Sequence, residues 1–251
     1  MPTEELMAFE LLADRFAEVN DRIDLPDTAF YQGLAEGVRG PVAELGIGDG
    51  RVARTVRPDT GIDGSGRALE RCRERVGDGI RLIEADLAEY TLPAPAALSY
   101  AALNTFNHVA TRGHLRRVLD NVRANTEPGG LLAFDAALPD AAKLAARDSV
   151  VVERFADPSV RWEDTTRVVD LADGRVELGI RFERLDASGA VAERVYGPPL
   201  PFRFLWPEDV PEDLRATGWR LLDMWGDFSR GPLRADGRTA VVLAQAQEDG
   251  R

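Results

Sequence analysis

A glycine-rich turn after the first apolar run constrains the fold of this chain more than any other feature. Residues 42–45 are apolar except for Glu44, and Gly46, Gly48 and Gly50 follow at every second position. Glycine allows a tight turn and a close approach of the main chain to a ligand, because it carries no Cβ. The pattern predicts a strand that ends in a ligand-binding turn, with Glu44 placed to hold a cationic group.

Short apolar runs alternate with helical segments after Pro41, which predicts an α/β fold with a mostly parallel sheet and helices on both faces. The 251 residues, 44% of them hydrophobic, suffice for one such domain with an insertion. Helices are predicted at 4–19, from Asp27 to Gly40, near 50–56, 66–76 and 113–124, and at 207–217. Strands are predicted at 41–45, 60–63, 80–84, 97–103, 130–135, 219–227 and 239–246.

The stretch 148–206 is predicted to be an antiparallel β insertion within a main domain formed by 1–147 and 207–251. A short helix is predicted just before it, and the last residues of the chain are predicted to be loose. The insertion would fold over the carboxyl edge of the sheet or pair with a second subunit, so a homodimer stays open. Its predicted runs lie at 149–156, 160–170, 175–186 and 190–206, with hairpin turns at Asp173-Gly174 and Ser188-Gly189, the preceding helix at 141–146 and the loose end at 248–251.

The cysteine content and the apolar runs bear on location. Cys72 is the single cysteine, which excludes a disulfide framework and a cysteine cluster for a metal and favours a reducing compartment. No apolar run approaches the roughly 18 residues of a membrane span. The N-terminus begins with the acidic Glu4 and Glu5, unlike a signal peptide. We therefore expect a cytoplasmic protein with no metal site and no membrane partner.

The net charge of −12, from 31 basic and 43 acidic residues, opposes binding to a phosphate polymer, which draws on clustered lysines and arginines. Arg71, Arg73 and Arg75 lie close together, but Glu70 and Glu74 interleave with them. A solvated helix face is the favoured interpretation of these arginines. A small-molecule partner is therefore predicted, and nucleic acid is not.

The spacing of the glycines distinguishes two classes of cofactor site. A dinucleotide fingerprint requires G-x-G-x-x-G, whereas here Gly50 comes one residue early and Arg51 stands in its place. Acidic residues follow at the ends of the second and third predicted strands, Asp63 and Asp86. This combination resembles the class I S-adenosylmethionine-dependent methyltransferases, so a Rossmann-like, mostly parallel seven-stranded sheet is expected.

The resemblance implies a site for S-adenosylmethionine, with S-adenosylhomocysteine as the product. By resemblance, Glu44 and the glycines lie beside the methionine part of the cofactor. Asp63 would accept hydrogen bonds from both ribose hydroxyls, with Ser65 nearby, and Asp86 would accept from the adenine amino group. The remaining residues implied in cofactor binding are Gly46, Gly48, Gly50, Leu87 beside the adenine ring, Asn104 near the sulfonium and Tyr31 on the helix before the first strand.

Each of these residues also has a structural interpretation. A glycine-rich turn is often only a turn, an aspartate at a strand end is often a helix cap, and Tyr31 can equally be core. Two departures from the family pattern stand out. Only 13 positions separate Gly50 from Asp63, which requires a short first helix or a clipped second strand, and the fourth strand lacks an opening Phe-Asp.

The loop after the fourth predicted strand, residues 104–108, should face the acceptor. His108 is the candidate general base, because an imidazole suits proton removal near neutral pH, and Asn104 is the candidate catalytic partner beside the sulfonium. A histidine satisfied within the loop is an equal alternative, and His114 is predicted to lie on the surface. Five aromatic residues of the insertion are enough to line an acceptor pocket, with Arg161 or Arg203 as anchors: Trp162, Tyr196, Phe202, Phe204 and Trp206. For any single one of them, packing within the apolar face of the hairpin sheet is the favoured interpretation.

The sequence therefore predicts a methyltransferase acting on an amine or hydroxyl of a small secondary metabolite. Two alternatives stay open: an enzyme of the same fold that catalyses a cyclisation or rearrangement, and a non-catalytic cofactor-binding module. A nicotinamide oxidoreductase is the weakest alternative, because Arg51 stands where its third glycine belongs.

Overall fold

The computed structural model describes residues 4–22, 25–139, 148–154 and 159–247, which form two sheets and their covering helices. The helices are α1 Glu4–Asn20, α2 Asp27–Gly37, α3 Ala53–Val56, α4 Gly66–Val76, α5 Arg112–Ala124 and α6 Val210–Ala216, with a 3₁₀ turn at Thr105–His108. The strands are β1 Val42–Leu45, β2 Thr60–Asp63, β3 Arg81–Glu84, β4 Ala96–Ala101, β5 Thr126–Ala137, β6 Asp148–Arg154, β7 Val160–Asp170, β8 Arg175–Leu185, β9 Val191–Tyr196, β10 Leu200–Arg203, β11 Trp219–Trp225 and β12 Thr239–Ala246.

The larger sheet has seven strands in the order β11-β12-β5-β4-β1-β2-β3. The pairings from β5 to β3 are parallel, and β12 runs antiparallel to both of its neighbours. The predicted Rossmann-like, mostly parallel seven-stranded sheet is confirmed. The chain leaves β1 towards β2 on one side, and β4 lies on the other, so a crevice opens at the carboxyl ends of these strands, where open α/β sheets bind ligands.

Burial on both faces explains why the central strands are apolar throughout. Every residue of β1 and β4 is buried, as expected for parallel strands covered by helices on both sides. On one side, α5 contributes Leu115, Val118, Leu119 and Val122, the apolar face that its spacing predicts. Trp219 completes this core and donates its indole N–H to the Leu119 carbonyl at 3.1 Å. Each large side chain buried in this way contributes roughly 1.5–3 kcal/mol.

The unusually short spacing between the glycine turn and the second strand has a simple structural cause. Helix α3 is only four residues long, and it ends at Arg57 in a left-handed conformation (φ 55°). Strand β2 is also four residues long. The expectation of a short helix or a clipped strand is therefore confirmed, and Asp63 still ends β2 beside the turn.

The smaller sheet is the predicted antiparallel insertion, with the strand order β10-β8-β7-β6 and β9 paired to the other end of β8. Its inner face packs against α1, where Trp162, Ile180 and Phe182 meet Ala8 and Leu12. The single predicted run at 190–206 is wrong. It forms two strands, β9 and β10, because Gly197-Pro198-Pro199 lies between them and proline cannot donate to a β ladder.

Several predicted boundaries shift. The fourth strand ends at Ala101 rather than at residue 103, and the fifth spans Thr126–Ala137 rather than 130–135. The helix near 50–56 begins only at Ala53. The predicted helix at 141–146, the end of the run at 149–156 and the loose end at 248–251 lie outside the described residues.

The arginines of α4 are not all solvated, which corrects that interpretation. Arg71 Nε lies 2.7 Å from Asp14 Oδ1, and Arg75 Nη2 lies 2.7 Å from Asp21 Oδ1. Both carboxylates belong to α1 or to the turn that follows it, so α4 holds the N-terminal helix in place.

Candidate active site

A cavity of about 550 Å³ lies at the carboxyl edge of β1 to β4, and α1 forms its roof. Its size falls within the range of small-molecule sites. The glycine turn, the ends of β2 and β3, the loop after β4 and the first turn of α5 all contribute to its wall. The lining includes the predicted site residues Glu44, Gly46, Gly48, Asp63, Ser65, Asp86, Leu87 and His108.

Gly48 presents bare main chain to this cavity. Its φ is +55°, and a Cβ added there would meet no protein atom within 4 Å, so it would project into open space. Its N–H donates to Asp63 Oδ2 at 2.8 Å. Gly46 has φ +67° and faces the side chain of Thr105, which would collide with a Cβ. The turn therefore presents backbone to the cavity and at the same time receives the loop after β4.

Gly50 packs against α4, and its contact with a cofactor stays a prediction. It is not part of the cavity lining among the described residues. Its φ is +80°, and an added Cβ would lie 2.8 Å from Cys72 Sγ and 3.2 Å from Val76 Cγ1. This glycine allows α4 to pack closely against the turn.

Asp63 links the glycine turn to α4 and faces the cavity. Its Oδ2 accepts from Gly48 N, and its Oδ1 accepts from Ser65 N at 2.9 Å. Burial raises the pKa of Asp63, and the two backbone donors oppose that shift. Each carboxylate oxygen retains capacity for a second hydrogen bond, so two hydroxyls of a ligand can be held. Ser65 caps α4, because its hydroxyl accepts from Ala68 N at 3.0 Å.

Glu44 is a buried carboxylate without an ion pair in the described part of the chain. Its side chain is about 2% exposed, and Tyr100 donates its hydroxyl to Glu44 Oε2 at 2.8 Å. Burial raises the pKa of Glu44 to about 8, against the lowering effects of Tyr100 and of the Arg51 charge. A cationic group entering the cavity would stabilise the carboxylate form.

Arg51, at the place of the missing third glycine, anchors the turn to α2. Its guanidinium forms a buried, bidentate pair with Asp27: Nη1 lies 3.1 Å from Oδ1, and Nη2 contacts Oδ2. The charge of Arg51 is therefore already satisfied, although the residue lines the cavity. The lining carries five carboxylates, Glu44, Asp49, Asp63, Glu84 and Asp86. The cavity favours a positively charged ligand.

Asp86 and Leu87 lie at the far end of the cavity, after β3. The Asp86 side chain is half exposed, and its Oδ1 accepts from Ala88 N at 2.8 Å. His114 also lines this end, with Nε2 3.7 Å from Asp86 Oδ1. His114 is partly exposed, as expected of a surface residue, but its contact with the cavity was not predicted. Helices that follow parallel strands begin at the edge where those strands end. The place of His114 in the first turn of α5 was therefore the sequence signal that could have predicted its contact with the cavity.

Asn104 belongs to a strained turn and is not part of the cavity lining among the described residues, so its place beside the ligand stays a prediction. Leu103 and Asn104 have φ of 53° and 61°. The left-handed region costs a residue such as leucine about 1–2 kcal/mol. Leu103 and Asn104 both donate their N–H groups, at 2.9 Å, to the two oxygens of Asp135. Hydrogen bonds to a charged group contribute about 1.5–3 kcal/mol each, so the carboxylate offsets the strain.

Tyr31 supports this turn and does not line the cavity among the described residues, so a contact with the cofactor stays a prediction for it. The side chain is fully buried and stacks on Tyr100 at a ring distance of 4.9 Å. Its hydroxyl donates to Asp135 Oδ1 at 2.7 Å and contacts the Ala101 carbonyl at 3.1 Å. Sequence reasoning missed Asp135; the only available signal was a carboxylate ending the apolar run at 130–135.

His108 ends the 3₁₀ turn and lines the cavity. The imidazole is hydrogen-bonded to the Pro201 backbone, and its buried Nδ1 has no hydrogen-bond partner among the described residues. Since proline offers only a carbonyl, we assign the donor as Nε2–H and the lone pair to Nδ1. Phe9 and Phe202 meet the ring edge-on at 5.1 Å each. Burial lowers the pKa of His108 to about 4, so the ring is neutral at pH 7.

Asn107 holds the same turn from its other end. Its side chain is fully buried, donates to the carbonyls of Ala137 and Arg203 at 3.0 and 2.8 Å, and accepts from Ala137 N at 2.9 Å. It therefore joins the turn both to β5 and to the insertion strand β10. Sequence reasoning gave this asparagine no role.

A family model described as a methyltransferase domain matches residues 42–130, which carry the glycine turn and the strand ends just described. Residues 42–130 therefore form a methyltransferase domain. A comparison of the sequence with curated proteins found no match.

Solved structures share the fold of this methyltransferase domain with its insertion. An S-adenosylmethionine-dependent methyltransferase from Clostridium acetobutylicum ATCC 824 matches with a TM-score of 0.79 and 17% identity, over 94% of this chain and 99% of that chain. The CcbJ methyltransferase from Streptomyces caelestis matches with a TM-score of 0.78 and 20% identity, over 98% and 100% of the two chains. The sugar N-methyltransferase KedS8 from Streptoalloteichus sp ATCC 53650 matches with a TM-score of 0.68 and 14% identity, over 94% and 92%.

The roof of the methyltransferase domain differs from the one expected. Among the described residues, none of the five aromatic residues predicted from the insertion lines the cavity, and Phe9 and Phe16 of α1 do so instead. Trp162 lies behind Phe16, with ring centroids 5.2 Å apart, so α1 stands between the insertion and the cavity. Neither predicted anchor lines the cavity; Arg161 pairs with Glu183, and Arg203 with Asp173.

The described residues of the methyltransferase domain contain no group of three or more histidine, cysteine, aspartate or glutamate side chains arranged to hold a metal ion. No helix in these parts of the chain is long and apolar enough to cross a membrane.

Proposed function

We propose that this chain transfers a methyl group from S-adenosylmethionine to an amine or hydroxyl of a small secondary metabolite. The observation that carries the proposal is the cavity itself, in which open space above Gly48 adjoins the carboxylates of Glu44, Asp63 and Asp86 and the free Nδ1 of His108. Similar solved structures include a sugar N-methyltransferase and a glycopeptide N-methyltransferase bound to S-adenosylhomocysteine, which supports an amine as the first acceptor to test.

The residues present fit this cofactor. Glu44 would hold the methionine ammonium, Asp63 the two ribose hydroxyls and Asp86 the adenine amino group, with Leu87 against the ring. The excess of carboxylates in the lining suits a ligand with two cationic centres, its ammonium and its sulfonium. When bound, the cofactor supplies an electrophilic methyl carbon on a good leaving group.

The contribution of the chain to the reaction is mainly positioning. Holding a nucleophile in line supplies about 7–11 kcal/mol, whereas a general base adds about 10²- to 10⁴-fold, or roughly 3–5 kcal/mol. His108 Nδ1 would accept the hydrogen that the acceptor nitrogen or oxygen donates. With a pKa of about 4, this imidazole suits an N–H donor better than an alcohol, which requires a stronger base. A methylated amine is also cationic, in keeping with the acidic lining.

Binding of S-adenosylhomocysteine tests the cofactor half of the proposal. By calorimetry, we expect the wild type to bind and Asp63→Asn to bind about tenfold or more weakly, since one ribose hydroxyl loses a charged acceptor. Asp213→Asn is the matched control, because Asp213 is also a buried carboxylate but lies between α5 and α6 and pairs with Arg112 and Arg116. No binding by the wild type would overturn the proposal, and equal binding by Asp63→Asn would remove Asp63 from the site.

Product mass tests the reaction half. Amines and their matched alcohols are incubated with the enzyme and cofactor, and methyl transfer adds one methylene to the acceptor. An acceptor rearranged at unchanged mass would favour a cyclising or rearranging enzyme. Cofactor binding without any product would favour a binding module.

His108→Ala should lower kcat by about 10²-fold on the acceptor found in this way, the lower end of the contribution of a general base. Because burial lowers the pKa of His108 to about 4, protonation of this ring should not affect the rate between about pH 6 and pH 8. A wild-type rate in His108→Ala would leave the imidazole a structural role. The kcat of the wild type and of His108→Ala, measured over that pH range, completes the test.

The choice of a small acceptor over nucleic acid, the cytoplasmic location, the homodimer and the division at 147/148 and 206/207 stay predictions from the sequence. Size-exclusion chromatography with light scattering tests the homodimer. Limited proteolysis tests the domain boundaries.

A further inference from the structure

The loop at 103–108 is fastened to strand β5 at both ends. At its start, Leu103 N and Asn104 N donate to the carboxylate of Asp135. At its end, the Asn107 side chain is hydrogen-bonded to both backbone groups of Ala137, two residues further along the same strand. The carboxyl end of β5 therefore determines where this loop lies, although the Asp135 side chain is not part of the cavity lining among the described residues.

The side chains carried by this loop face the cavity. Leu103, Thr105 and His108 all line it, and Thr105 also abuts Gly46 of the glycine turn. Two successive residues with positive φ redirect the chain at the loop's start, and the hydrogen bonds to Asp135 hold this conformation. Release of those two bonds would move the cavity wall on the side where the acceptor must enter.

We propose that Asp135 is a positioning residue of the methyltransferase, whose carboxylate holds the 103–108 loop against the cofactor and thereby places His108. The inference rests on the proposed function of the cavity. It assigns a role to a buried carboxylate outside the cavity lining, among the described residues, and it explains why Tyr31, which shares that carboxylate, is polar in the middle of a core.

The charged surroundings of Asp135 show which ionisation supports the loop. Tyr31 and Asp27 face it from α2, and Arg51 faces it from the turn before α3. Tyr100 of β4 stacks on Tyr31 and donates to Glu44 of β1. Burial raises the pKa of Asp135 to about 6, while the hydrogen bonds from Tyr31, Asn104 and Leu103 lower it. The ionised form can accept from both loop N–H groups, whereas a proton on one oxygen weakens one of these bonds.

The test uses the affinity of the full-length chain for S-adenosylhomocysteine, measured by calorimetry between about pH 5 and pH 8. For the wild type, we expect affinity to fall as the pH drops through about 6, where Asp135 gains its proton. Asp135→Asn should bind S-adenosylhomocysteine about tenfold more weakly at high pH, because an amide cannot accept hydrogen bonds at both of its terminal atoms. Its affinity should also lack the fall near pH 6, here called the acid limb. A change in affinity near pH 8 would come from Glu44, whose pKa is about 8. Asp135→Asn should still show that change.

Tyr31→Phe separates positioning from a merely structural role. It removes one donor to Asp135 and keeps both bonds to the loop, so affinity at high pH should be unchanged. The midpoint of the acid limb should move to higher pH, because the Tyr31 hydrogen bond lowers the pKa of Asp135. Asp213→Asn should lose thermal stability and keep the wild-type affinity profile. Thermal unfolding in the same buffers confirms that each variant is folded.

The outcomes are distinguishable. A wild-type affinity profile in Asp135→Asn, or an unmoved midpoint in Tyr31→Phe, overturns the positioning role and leaves the proposed function intact. No binding of S-adenosylhomocysteine by the wild type at any pH overturns the proposed function itself. If Asp135→Asn does not fold, the midpoint of Tyr31→Phe decides.

Discussion

Gly48 and Gly50 stand two residues apart in one turn, and substitution by alanine should separate their roles. At Gly48 an added Cβ meets no protein atom within 4 Å, so Gly48→Ala should cost only the left-handed conformation, about 1–2 kcal/mol. The methyl group would occupy the cavity, and affinity for S-adenosylhomocysteine should fall about tenfold or more. Calorimetry measures the affinity, and a denaturant titration of the same sample measures the free energy of unfolding.

Gly50→Ala should behave in the opposite way. Its Cβ would collide with Cys72 and Val76, and overpacking of this kind costs about 1–3 kcal/mol in addition to the left-handed conformation. We expect a large loss of stability, with affinity changed less than in Gly48→Ala. An unfolding free energy equal to that of Gly48→Ala would contradict the packing role assigned to Gly50.

Glu44 should make the cofactor-free protein less stable as the pH rises. Its pKa in the folded chain, about 8, lies above the ordinary value of 4.5, so within this window the folded state binds more protons than the unfolded one. The free energy of unfolding therefore falls between these two pH values. Glu44→Gln should remove that slope and gain roughly 2–5 kcal/mol near pH 8, at about 1.4 kcal/mol per pKa unit.

Chemical denaturation between about pH 5 and pH 8 measures this slope. Glu36→Gln, a substitution of the same kind at an exposed position on α2, is the control and should follow the wild type. A Glu44→Gln variant less stable than the wild type near pH 8 would mean that the carboxylate is already paired as an anion.

The residues that could be predicted at this scale are those whose place follows from local sequence. Glu44, Asp63 and Asp86 end strands, and strand ends meet at one edge of a parallel sheet, so their convergence on the cavity is visible in the spacing. The packing roles of Gly50, Asn104 and Tyr31 could not be predicted, for a common reason. Their partners, Cys72 and Asp135, are distant in sequence and are brought to them only by packing.

At the scale of elements, α1 is held over the cavity by charge as much as by apolar contact. Asp14 pairs with Arg67 and Arg71 of α4 at 3.1 and 2.7 Å, and Arg15 and Glu18 pair with Glu193 and Arg184 of the insertion. These groups are partly exposed, so each pair contributes about 0–1 kcal/mol. Together, these ion pairs hold α1 over the cavity, and we expect α1 to move away more easily when they are weakened.

Salt should therefore speed the release of S-adenosylhomocysteine. Raising the ionic strength from about 0.05 M to about 0.5 M screens exposed pairs, and the dissociation rate should rise several-fold by stopped flow. In Asp14→Asn the rate should be higher at low salt and its salt dependence smaller. Glu212→Gln, which removes an exposed partner of Arg112 and Arg116 away from α1, should match the wild type. Equal salt dependence in Asp14→Asn would show that α1 does not limit release.

Element order was predictable from the sequence, but contacts between elements were not. The alternation of short apolar runs with helical segments locates each strand of the main sheet. The turn dipeptides Asp173-Gly174 and Ser188-Gly189 locate the hairpins of the insertion. No local sequence pattern indicates that α1 lies between the insertion and the cavity. An amphipathic helix has one apolar face, and the sequence does not specify what packs against that face. The aromatic residues of the insertion consequently support the roof from behind.

At the scale of the whole molecule, the two sheets communicate through α1. Trp162 of the insertion is buried and touches Phe16, which lines the cavity. Trp162→Ala should cost about 3–5 kcal/mol of stability and also weaken S-adenosylhomocysteine binding, although Trp162 itself does not reach the cavity. The measurements are chemical denaturation and calorimetry.

Trp206→Ala is the matched control for this prediction. Trp206 packs with Val176 and Phe202 at the other end of the smaller sheet, so its loss should lower stability without a comparable loss of affinity. Equal affinity losses in the two variants would indicate general loosening of the fold rather than transmission through α1.

The long-range contacts of α1 also bear on how the chain is made. The partners of this helix lie far along the chain, because the pairs Asp14–Arg67 and Arg15–Glu193 are separated by 53 and 178 residues. Its apolar stripe, with Phe9 and Phe16, therefore stays without the insertion until the insertion has been synthesised. Nascent chains stopped before β9 should need a chaperone to remain dispersed, and the cavity should acquire its roof only after the insertion has emerged.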